Sequence, residues 1–230
     1  MNRVQILVHV PFETPGAIAT WLTSNHFTFE ETHLYRDDPI PNVDDFDSLI
    51  SLGGPQSCRD LAQYPYLCDE INLMSEALIS HKRVLGVCLG AQLLAEALGG
   101  KTIESPEREV GVFPISLTDL GLEDPVFGPL GDEFDVLHFH RDMCGEFPGM
   151  EVLAGNAACP IQIFAYRQLA YGIQCHFEMD LPIVNRLIDA CPTELIEGQS
   201  IQSPETLRSH DYTSINQRLF GILERFFALP

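Results

Sequence analysis

The feature that most constrains the fold is a short stretch in which a buried strand turns at once into a helix. Residues 84–87 form an apolar run of the kind found in buried strands, and residues 89–98 carry apolar side chains at helical spacing. The turn between them reads Gly86-x-Cys88-x-Gly90. Glycines on both sides permit the close approach and unusual dihedral angles of so sharp a turn. The stretch therefore predicts an α/β protein with one cysteine projecting from a rigid corner.

Two interpretations of Cys88 are open from this stretch alone. The amide dipoles at the start of a helix favour negative charge nearby, and so favour thiolate over thiol. On that interpretation Cys88 is a nucleophile. Free cysteine is also a common small core residue, and on that interpretation Cys88 is a buried structural side chain.

The composition indicates a globular protein that can fill a sizeable core. The chain has 230 residues, of which 45% are hydrophobic and 20% charged, which suits one large α/β domain. Its 33 acidic and 13 basic residues give a formal charge of −20, which argues against nucleic acid or an anionic membrane as a partner. No apolar run is long enough for a membrane span or a signal peptide. The seven cysteines include no Cys-x-x-Cys pair, so we predict reduced thiols in a cytoplasmic protein.

Strands and helices alternate over the first hundred residues. The pattern predicts strands over 4–10, 28–35, 46–52 and 84–87, and helices over 14–26, 65–81 and 89–98. Such alternation is typical of an open, mostly parallel twisted sheet with helices on both sides.

The pattern changes after residue 100, where short strand-like runs are separated by turn residues. These predicted strands cover 101–104, 111–117, 133–140, 151–154, 161–166 and 169–175, and indicate an antiparallel or mixed extension of the sheet. Helical patterns return over 181–190 and, as one or two helices, over 203–229. We predict a single domain over residues 1–230, with a helical extension from about residue 199 to residue 230.

A histidine and a glutamate two residues apart form the next candidate site. In an extended chain, His176 and Glu178 lie on the same face. A carboxylate in that position can fix the tautomer of the imidazole and stabilise its charged form, as the acid of a nucleophile–base–acid triad does. The alternative is a histidine at a strand end with an incidental acidic neighbour.

Two glycines that follow a predicted strand supply a third part. Sites in open sheets lie beyond the carboxyl ends of strands, and both Gly53-Gly54 and Cys88 follow strands. A glycine amide there, together with the amide of Leu89, would hold the oxyanion of a tetrahedral intermediate. The alternative is an ordinary turn.

Three motifs together carry a resemblance to a known family. They are GGPQS at 53–57, GVCLGAQ at 86–92 and QCHFE at 174–178. In this order and spacing they resemble the class I (triad) glutamine amidotransferases, and most closely stand-alone proteins similar to the amidotransferase domain of GMP synthase. The resemblance covers residues 45–180 well and the first 45 residues loosely. It implies the open, flavodoxin-like α/β sheet of that family.

The resemblance also implies roles for individual residues. Cys88 would be the nucleophile, His176 the general base and acid, and Glu178 its partner. The implied oxyanion and substrate-binding residues are Gly53, Gly54, Leu89, Gln92, His140, Arg141 and Asp142.

His140, Arg141 and Asp142 belong to the segment 137–142. This segment resembles the His-Gly-Asp wall of the family, which binds glutamine partly through its main chain. Arg141 replaces the glycine of that wall, which bears on substrate identity, and Phe177 replaces the proline usual between His176 and Glu178, which we interpret as structural. The pattern His138-x-His140-x-Asp142 has a second interpretation as metal ligands, but Met143 stands where metallohydrolases place a further histidine. We therefore predict no metal.

The resemblance implies hydrolysis of the γ-amide of glutamine through a γ-glutamyl thioester, without metal or organic cofactor. Ammonia would pass to a synthetase partner, although the sequence contains no ATP pyrophosphatase loop. The alternatives are a stand-alone γ-glutamyl peptidase or hydrolase, a hydrolase of the DJ-1/PfpI type, and a non-catalytic binding protein on the same fold.

Overall fold

Nine strands form one open sheet in the computed structural model, which describes residues 3–196 and 198–229. The strands are β1 Arg3–Val8, β2 Thr28–His33, β3 Ser48–Ser51, β4 Arg83–Val87, β5 Thr102–Leu117, β6 Glu133–Cys144, β7 Glu151–Gly155, β8 Ile163–Tyr166 and β9 Ala170–Ile173. Their order in the sheet is β2-β1-β3-β4-β9-β8-β7-β5-β6. The ends of the predicted domain at residues 1, 2 and 230 lie outside the described residues.

Helices flank this sheet on both faces. They are α1 Ala17–Ser24, α2 Tyr66–Ile79, α3 Leu89–Ala97, α4 Asp119–Glu123, α5 Leu181–Ala190, α6 Pro204–Ser209 and α7 Tyr212–Ala228. One buried apolar cluster joins the sheet to α1, α5 and α7, and includes Tyr171 and Phe226. A second cluster joins it to α2 and α3, and includes Phe46 and Met74. Each fully buried side chain of this size stabilises the fold by about 1.5–3 kcal/mol. The two apolar clusters therefore hold the helices of both faces against the sheet.

The sheet is parallel from β2 to β9 and antiparallel from β9 to β6. The four pairings among β2, β1, β3, β4 and β9 are parallel, and the four beyond them are antiparallel. The predicted open α/β sheet with an antiparallel extension is thus confirmed, with the extension contributing as many pairings as the parallel part. The parallel strands end at one edge, so the segments after β1, β3, β4 and β9 meet there.

The predicted start of the first helix at Thr14-Pro15 is wrong. The helix α1 begins at Ala17, after Gly16 with φ of 51°. The Ala17 amide donates to the Glu178 carbonyl at 2.9 Å, and a Cβ at Gly16 would collide with that same carbonyl. Contact with the segment after β9 therefore overrides the local capping signal, and residues 9–16 form a loop at the edge where the parallel strands end.

The antiparallel pair of strands β5 and β6 is longer than predicted. The runs at 101–104 and 111–117 are one strand, β5, with a register shift between Glu104 and Glu109. Its partner β6 continues to Cys144 instead of ending at residue 140, because the first part of β5 pairs with residues 142–144. The predicted wall at 137–142 therefore lies wholly within β6.

The C-terminal pattern resolves into two helices, α6 and α7, within the predicted range. Among residues 3–196 and 198–229, no helix is long and apolar enough to cross a membrane.

Candidate active site

Cys88 occupies a strained corner between β4 and α3. Its φ of 50° and ψ of −109° lie outside the helical and extended regions. Its amide donates to the Ile173 carbonyl of β9 at 2.7 Å, which holds the corner against the next strand. A Cβ at Gly90 would collide with the backbone of Ser51 in β3, so the glycine lets the new helix pack directly on the sheet. The structure thus places Cys88 where the sequence predicted, with 6% of the residue exposed.

His176 and Glu178 lie beside Cys88 in the segment that follows β9. The imidazole Nδ1 is 2.7 Å from Glu178 Oε1, and both residues are buried. The His176 amide donates to the Leu137 carbonyl of β6 at 2.7 Å, which fixes the backbone of the segment.

The surroundings of His176 favour its charged form. Burial lowers the pKa of the imidazole, but the Glu178 charge and the hydrogen bonds to Cys88 and Glu178 outweigh burial and hold the pKa well above its usual 6.5. The arrangement therefore stabilises an imidazolium next to a sulfur atom.

The two glycines after β3 approach this group closely. A Cβ built on Gly53 would lie 3.1 Å from His176 Cε1 and 3.4 Å from Cys88 Cβ. A Cβ on Gly54 would lie 3.2 Å from Leu89 Cδ2. Leu89 is the first residue of α3, so its amide is one of those with no carbonyl partner inside the helix. Gly54 and the first residue of α3 therefore lie next to each other at the Cys88 corner.

A buried polar group, absent from the sequence predictions, holds the glycine loop. His9 Nδ1 is 3.1 Å from the Gly53 carbonyl oxygen and its Nε2 is 2.8 Å from Glu70 Oε2, while Ser51 Oγ donates to Glu70 Oε1 at 2.6 Å. Burial lowers the pKa of His9, but the Glu70 charge and the hydrogen bonds to Glu70 and Gly53 outweigh it, so the net pKa is raised. Both ring nitrogens can then donate, one to each oxygen.

This arrangement has a consequence for the Gly54 amide, which the sequence predicts to bind the oxyanion. A trans peptide places its C=O and N–H on opposite sides. Because His9 holds the Gly53 carbonyl, the N–H of Gly54 points away from His9. The buried His9–Glu70 pair therefore fixes the orientation of the Gly53–Gly54 peptide.

Two glutamines connect the Cys88 corner to the predicted wall. Gln92 Nε2 is 3.2 Å from Gln174 Oε1 and 3.3 Å from the Asp142 carbonyl oxygen, and Gln174 Nε2 is 3.6 Å from Cys88 Sγ. Gln174 belongs to the motif at 174–178, although the sequence alone gives it no role. The amide groups of both residues are thus used in holding β6, β9 and the sulfur in fixed positions.

The side chains of the wall face in different directions. The Asp142 carboxylate accepts from Ser57 Oγ at 2.7 Å and from Arg59 Nη1 at 3.1 Å, so the loop after β3 occupies it. Arg141 is exposed at the rim of the cavity. Phe177 is buried against Phe134, which agrees with a structural role.

The polar cluster behind His140 is the only group in the described part of the chain with three possible metal ligands in reach of one another. Ligand atoms of Glu109, His140 and Cys159 lie within 4.8 Å of each other. However, Gln162 Nε2 already donates to Glu109 Oε2 at 2.6 Å, and His140 Nε2 lies 3.3 Å from the same oxygen. The carboxylate is therefore satisfied by protein groups. Because Asp142 has no part in this cluster, the sequence pattern of three metal ligands at 138, 140 and 142 does not converge on one point.

A cavity of about 640 Å³ opens over the Cys88 corner, a volume suited to a small ligand. Among its lining residues are Glu13, Gly54, Cys88, Gln92, His140, Arg141 and Asp142. Of these, only Glu13 is absent from the residues predicted from the sequence. The sequence gives one indication of Glu13. Like His9, it follows the first parallel strand, and the segments after these strands meet at the edge that holds Gly53 and Cys88.

Comparison with known proteins relates the chain to a family. The family model described as Glutamine amidotransferase class-I matches residues 19–182. The glutamine amidotransferase-like protein YfeJ of Salmonella typhimurium is 37% identical over 229 residues, which cover 96% of each chain. A subunit of the glutamine-hydrolyzing GMP synthase of Sulfurisphaera tokodaii is 27% identical over 164 residues, 66% of this chain and 81% of that subunit.

A solved structure shows the same architecture. The glutamine amido transferase of Methylobacillus flagellatus superposes with a TM-score of 0.91 at 27% identity, covering 99% of this chain and 95% of that one. Together with the family match over most of the chain, this identifies the protein as a member of the class I glutamine amidotransferase family.

Proposed function

We propose that the protein hydrolyses the side-chain amide of glutamine, or of a related γ-glutamyl compound, through a covalent thioester. The observation that carries the proposal is the convergence of Cys88, His176 and Glu178 at the ends of the adjacent strands β4 and β9, with a 2.7 Å contact between the imidazole and the carboxylate. A strained cysteine, a base and an orienting acid in this order form the apparatus of covalent acyl transfer.

In the first half of the proposed reaction, the Cys88 sulfur attacks the side-chain carbonyl carbon. The carbonyl electrons move to oxygen, where the amides of Gly54 and Leu89 donate to the developing negative charge. His176 gives its Nε2 proton to the amide nitrogen as the C–N bond breaks. The products of this half are ammonia and a γ-glutamyl thioester.

In the second half, His176 accepts a proton from water while the water oxygen attacks the thioester. The C–S bond breaks, glutamate leaves, and the sulfur and imidazolium return to their first state. Glu178 keeps the Nδ1–H of His176 in place in both halves and supports its positive charge.

The fate of the ammonia separates two versions of the proposal. The similarity to a GMP synthase subunit supports transfer of ammonia to a synthetase partner. The exposed Arg141 at the cavity rim favours instead a stand-alone γ-glutamyl hydrolase, because a permanent cation there suits a carboxylate beyond the scissile amide. A family glycine at that position would offer no such contact.

The direct test measures ammonia or amine release over glutamine and a panel of γ-glutamyl amides and dipeptides. Reaction of the protein with an electrophilic glutamine analogue, followed by peptide mass analysis, identifies the nucleophile. We expect label on Cys88 and none on Cys191, which lines the same cavity and serves as the internal control. Absence of both hydrolysis and Cys88 labelling would contradict the proposal.

A further inference from the structure

One carboxyl group in the cavity has no role in the reaction outlined above. Glu13 belongs to the loop after β1, and only 7% of the residue is exposed. A Cβ on Gly53 would collide with Glu13 Oε2, and the same Cβ would lie 3.1 Å from His176 Cε1 and 3.4 Å from Cys88 Cβ. The Glu13 carboxylate therefore borders the place where sulfur and imidazole meet.

Glu13 differs from the other buried glutamates in its lack of a partner. Glu70 bonds to His9 and Ser51, Glu109 bonds to Gln162, and Glu178 bonds to His176. Within residues 3–196 and 198–229, no hydrogen bond or ion pair reaches the Glu13 carboxylate.

Burial without a partner has an energetic cost. Burial is the main cause that raises the pKa of Glu13 to about 7, opposed by the charges of His176 and His9 and assisted by that of Glu178. The carboxylate oxygens are not cut off from the cavity, so a partner that the protein does not supply must come from what the cavity contains. A ligand in the cavity that brings its own donors would supply the missing partner.

Among the reacting atoms of the substrate, the leaving nitrogen is the one that can supply these donors. The carbonyl oxygen becomes an oxyanion during the reaction, so a carboxylate would repel it. The leaving nitrogen carries N–H groups and gains positive character as His176 protonates it. It is also the substrate atom that faces the imidazole at the moment of departure.

We propose that Glu13 is the leaving-nitrogen subsite of this enzyme: its carboxylate accepts hydrogen bonds from the N–H groups of the departing ammonia or primary amine. The inference rests on the proposed function and adds a substrate class to it, namely γ-glutamyl amides whose leaving nitrogen carries at least one hydrogen. The proton is still delivered by His176. Glu13 exchanges no proton and stabilises only the nitrogen as the C–N bond breaks.

Two substrates with the same acyl group test this assignment. L-glutamine and the γ-methyl ester of L-glutamate form the same thioester, but the ester leaves through an oxygen without N–H groups. Because kcat/KM reports the steps up to acylation, a comparison of the two isolates the leaving group. Glu13→Gln keeps the size of the side chain and removes its charge.

We expect Glu13→Gln to lower kcat/KM for L-glutamine by about ten- to a hundredfold, the range for one charge-assisted hydrogen bond. The value for the ester should stay within about twofold of wild type. Glu13→Ala should show the same selectivity, and neither variant should unfold at a lower temperature than the wild type, because the buried carboxylate has no partner to lose. The control is Asp60→Asn, which neutralises another carboxylate in the cavity lining, is exposed, and should leave both substrates unaffected.

Other outcomes would overturn the assignment. An equal loss for amide and ester would mean that Glu13 binds the glutamyl part, for instance its α-ammonium group, or supports the fold. Unchanged values for both substrates would mean that Glu13 does not take part. If the wild type hydrolysed neither the amide nor the ester, the proposed function would fail, and the proposed subsite would fail with it. That result differs from a loss of activity in the Glu13 variants alone.

Discussion

The strained backbone at residue 88 allows a clean test of the nucleophile. Alanine at this position keeps the Cβ and meets the same positive φ as cysteine, so Cys88→Ala should leave the fold intact. We expect glutamine hydrolysis to fall by at least ~10³-fold, as for loss of a covalent route. Steady-state ammonia release with purified variants measures this, and Cys191→Ala is the matched control. A Cys88→Ala protein with near wild-type rates would remove the cysteine from the mechanism.

The pH dependence of hydrolysis carries the signature of Glu13. With a pKa of about 7, its carboxyl is charged above that pH and becomes protonated as the pH falls through it. The other titratable groups around it are His9, Cys88, His176, Glu178 and Cys191, and these remain in the Glu13→Gln variant.

The ratio of kcat/KM for glutamine between wild type and Glu13→Gln therefore isolates this one group. We expect the ratio to be largest above pH 7 and to approach one below it, because protonated Glu13 has lost the charge that the variant also lacks. The measurement runs from about one and a half pH units below the Glu13 pKa to about one and a half units above it. A ratio of kcat/KM between the two proteins that stays constant over this range would contradict the expectation.

At the scale of elements, the loop after β1 supports the loop after β3. Removing His9 leaves the buried Glu70 with Ser51 as its remaining partner and frees the Gly53 carbonyl. Breaking a buried ion pair costs about 3–5 kcal/mol, so His9→Ala should lower the free energy of unfolding by that amount.

His9→Ala should also lower kcat more than it raises KM, because the Gly54 amide, which we propose binds the oxyanion, is no longer fixed, while the proposed substrate-binding residues of β6 are unchanged. Ser51→Ala is the comparison variant, since it removes one hydrogen bond from Glu70 but keeps the contact between His9 and Gly53. Chemical denaturation and steady-state kinetics measure both effects. A folded His9→Ala protein with wild-type kcat would show that His9 has a structural role alone.

The strand β6 places Arg141 at the rim, where it can act on what lies beyond the scissile amide. If its guanidinium binds a substrate carboxylate, Arg141→Gly should raise KM for γ-glutamyl dipeptides by about ten- to a hundredfold and leave glutamine almost unchanged. Kinetics on both substrates check this. Equal behaviour of variant and wild type would assign Arg141 to the solvated surface and weaken the version of the function without a synthetase partner.

For the molecule as a whole, the parallel half of the fold could be predicted from the sequence because its signals are local. Short apolar runs, helical spacing and the glycines at 86 and 90 each depend on neighbours in the chain. The residues Cys88, His176 and Glu178 could be found for the same reason, since each belongs to a compact motif. The family resemblance then placed these motifs in one site.

The rest of the site depends on contacts between distant segments. His9, Glu13 and Glu70 are single polar residues without a motif, and only the packing of β1, β3 and α2 buries them together. The extent of β6 depends in the same way on its pairing with β5. Neither kind of contact leaves a periodic pattern in the sequence.

The order of strands in the sheet sets when the candidate catalytic residues of a growing chain come together. β9 is one of the last strands made, yet it lies in the middle of the sheet, between β4 and β8. Domains are synthesised from the amino terminus, so the segment with Cys88 leaves the ribosome long before the segment with His176. Until β9 pairs with β4, the corner at Cys88 lacks the Ile173 carbonyl that holds it, and its sulfur has no imidazole beside it. The three candidate catalytic residues therefore come together only after β9 has been made and has paired with β4.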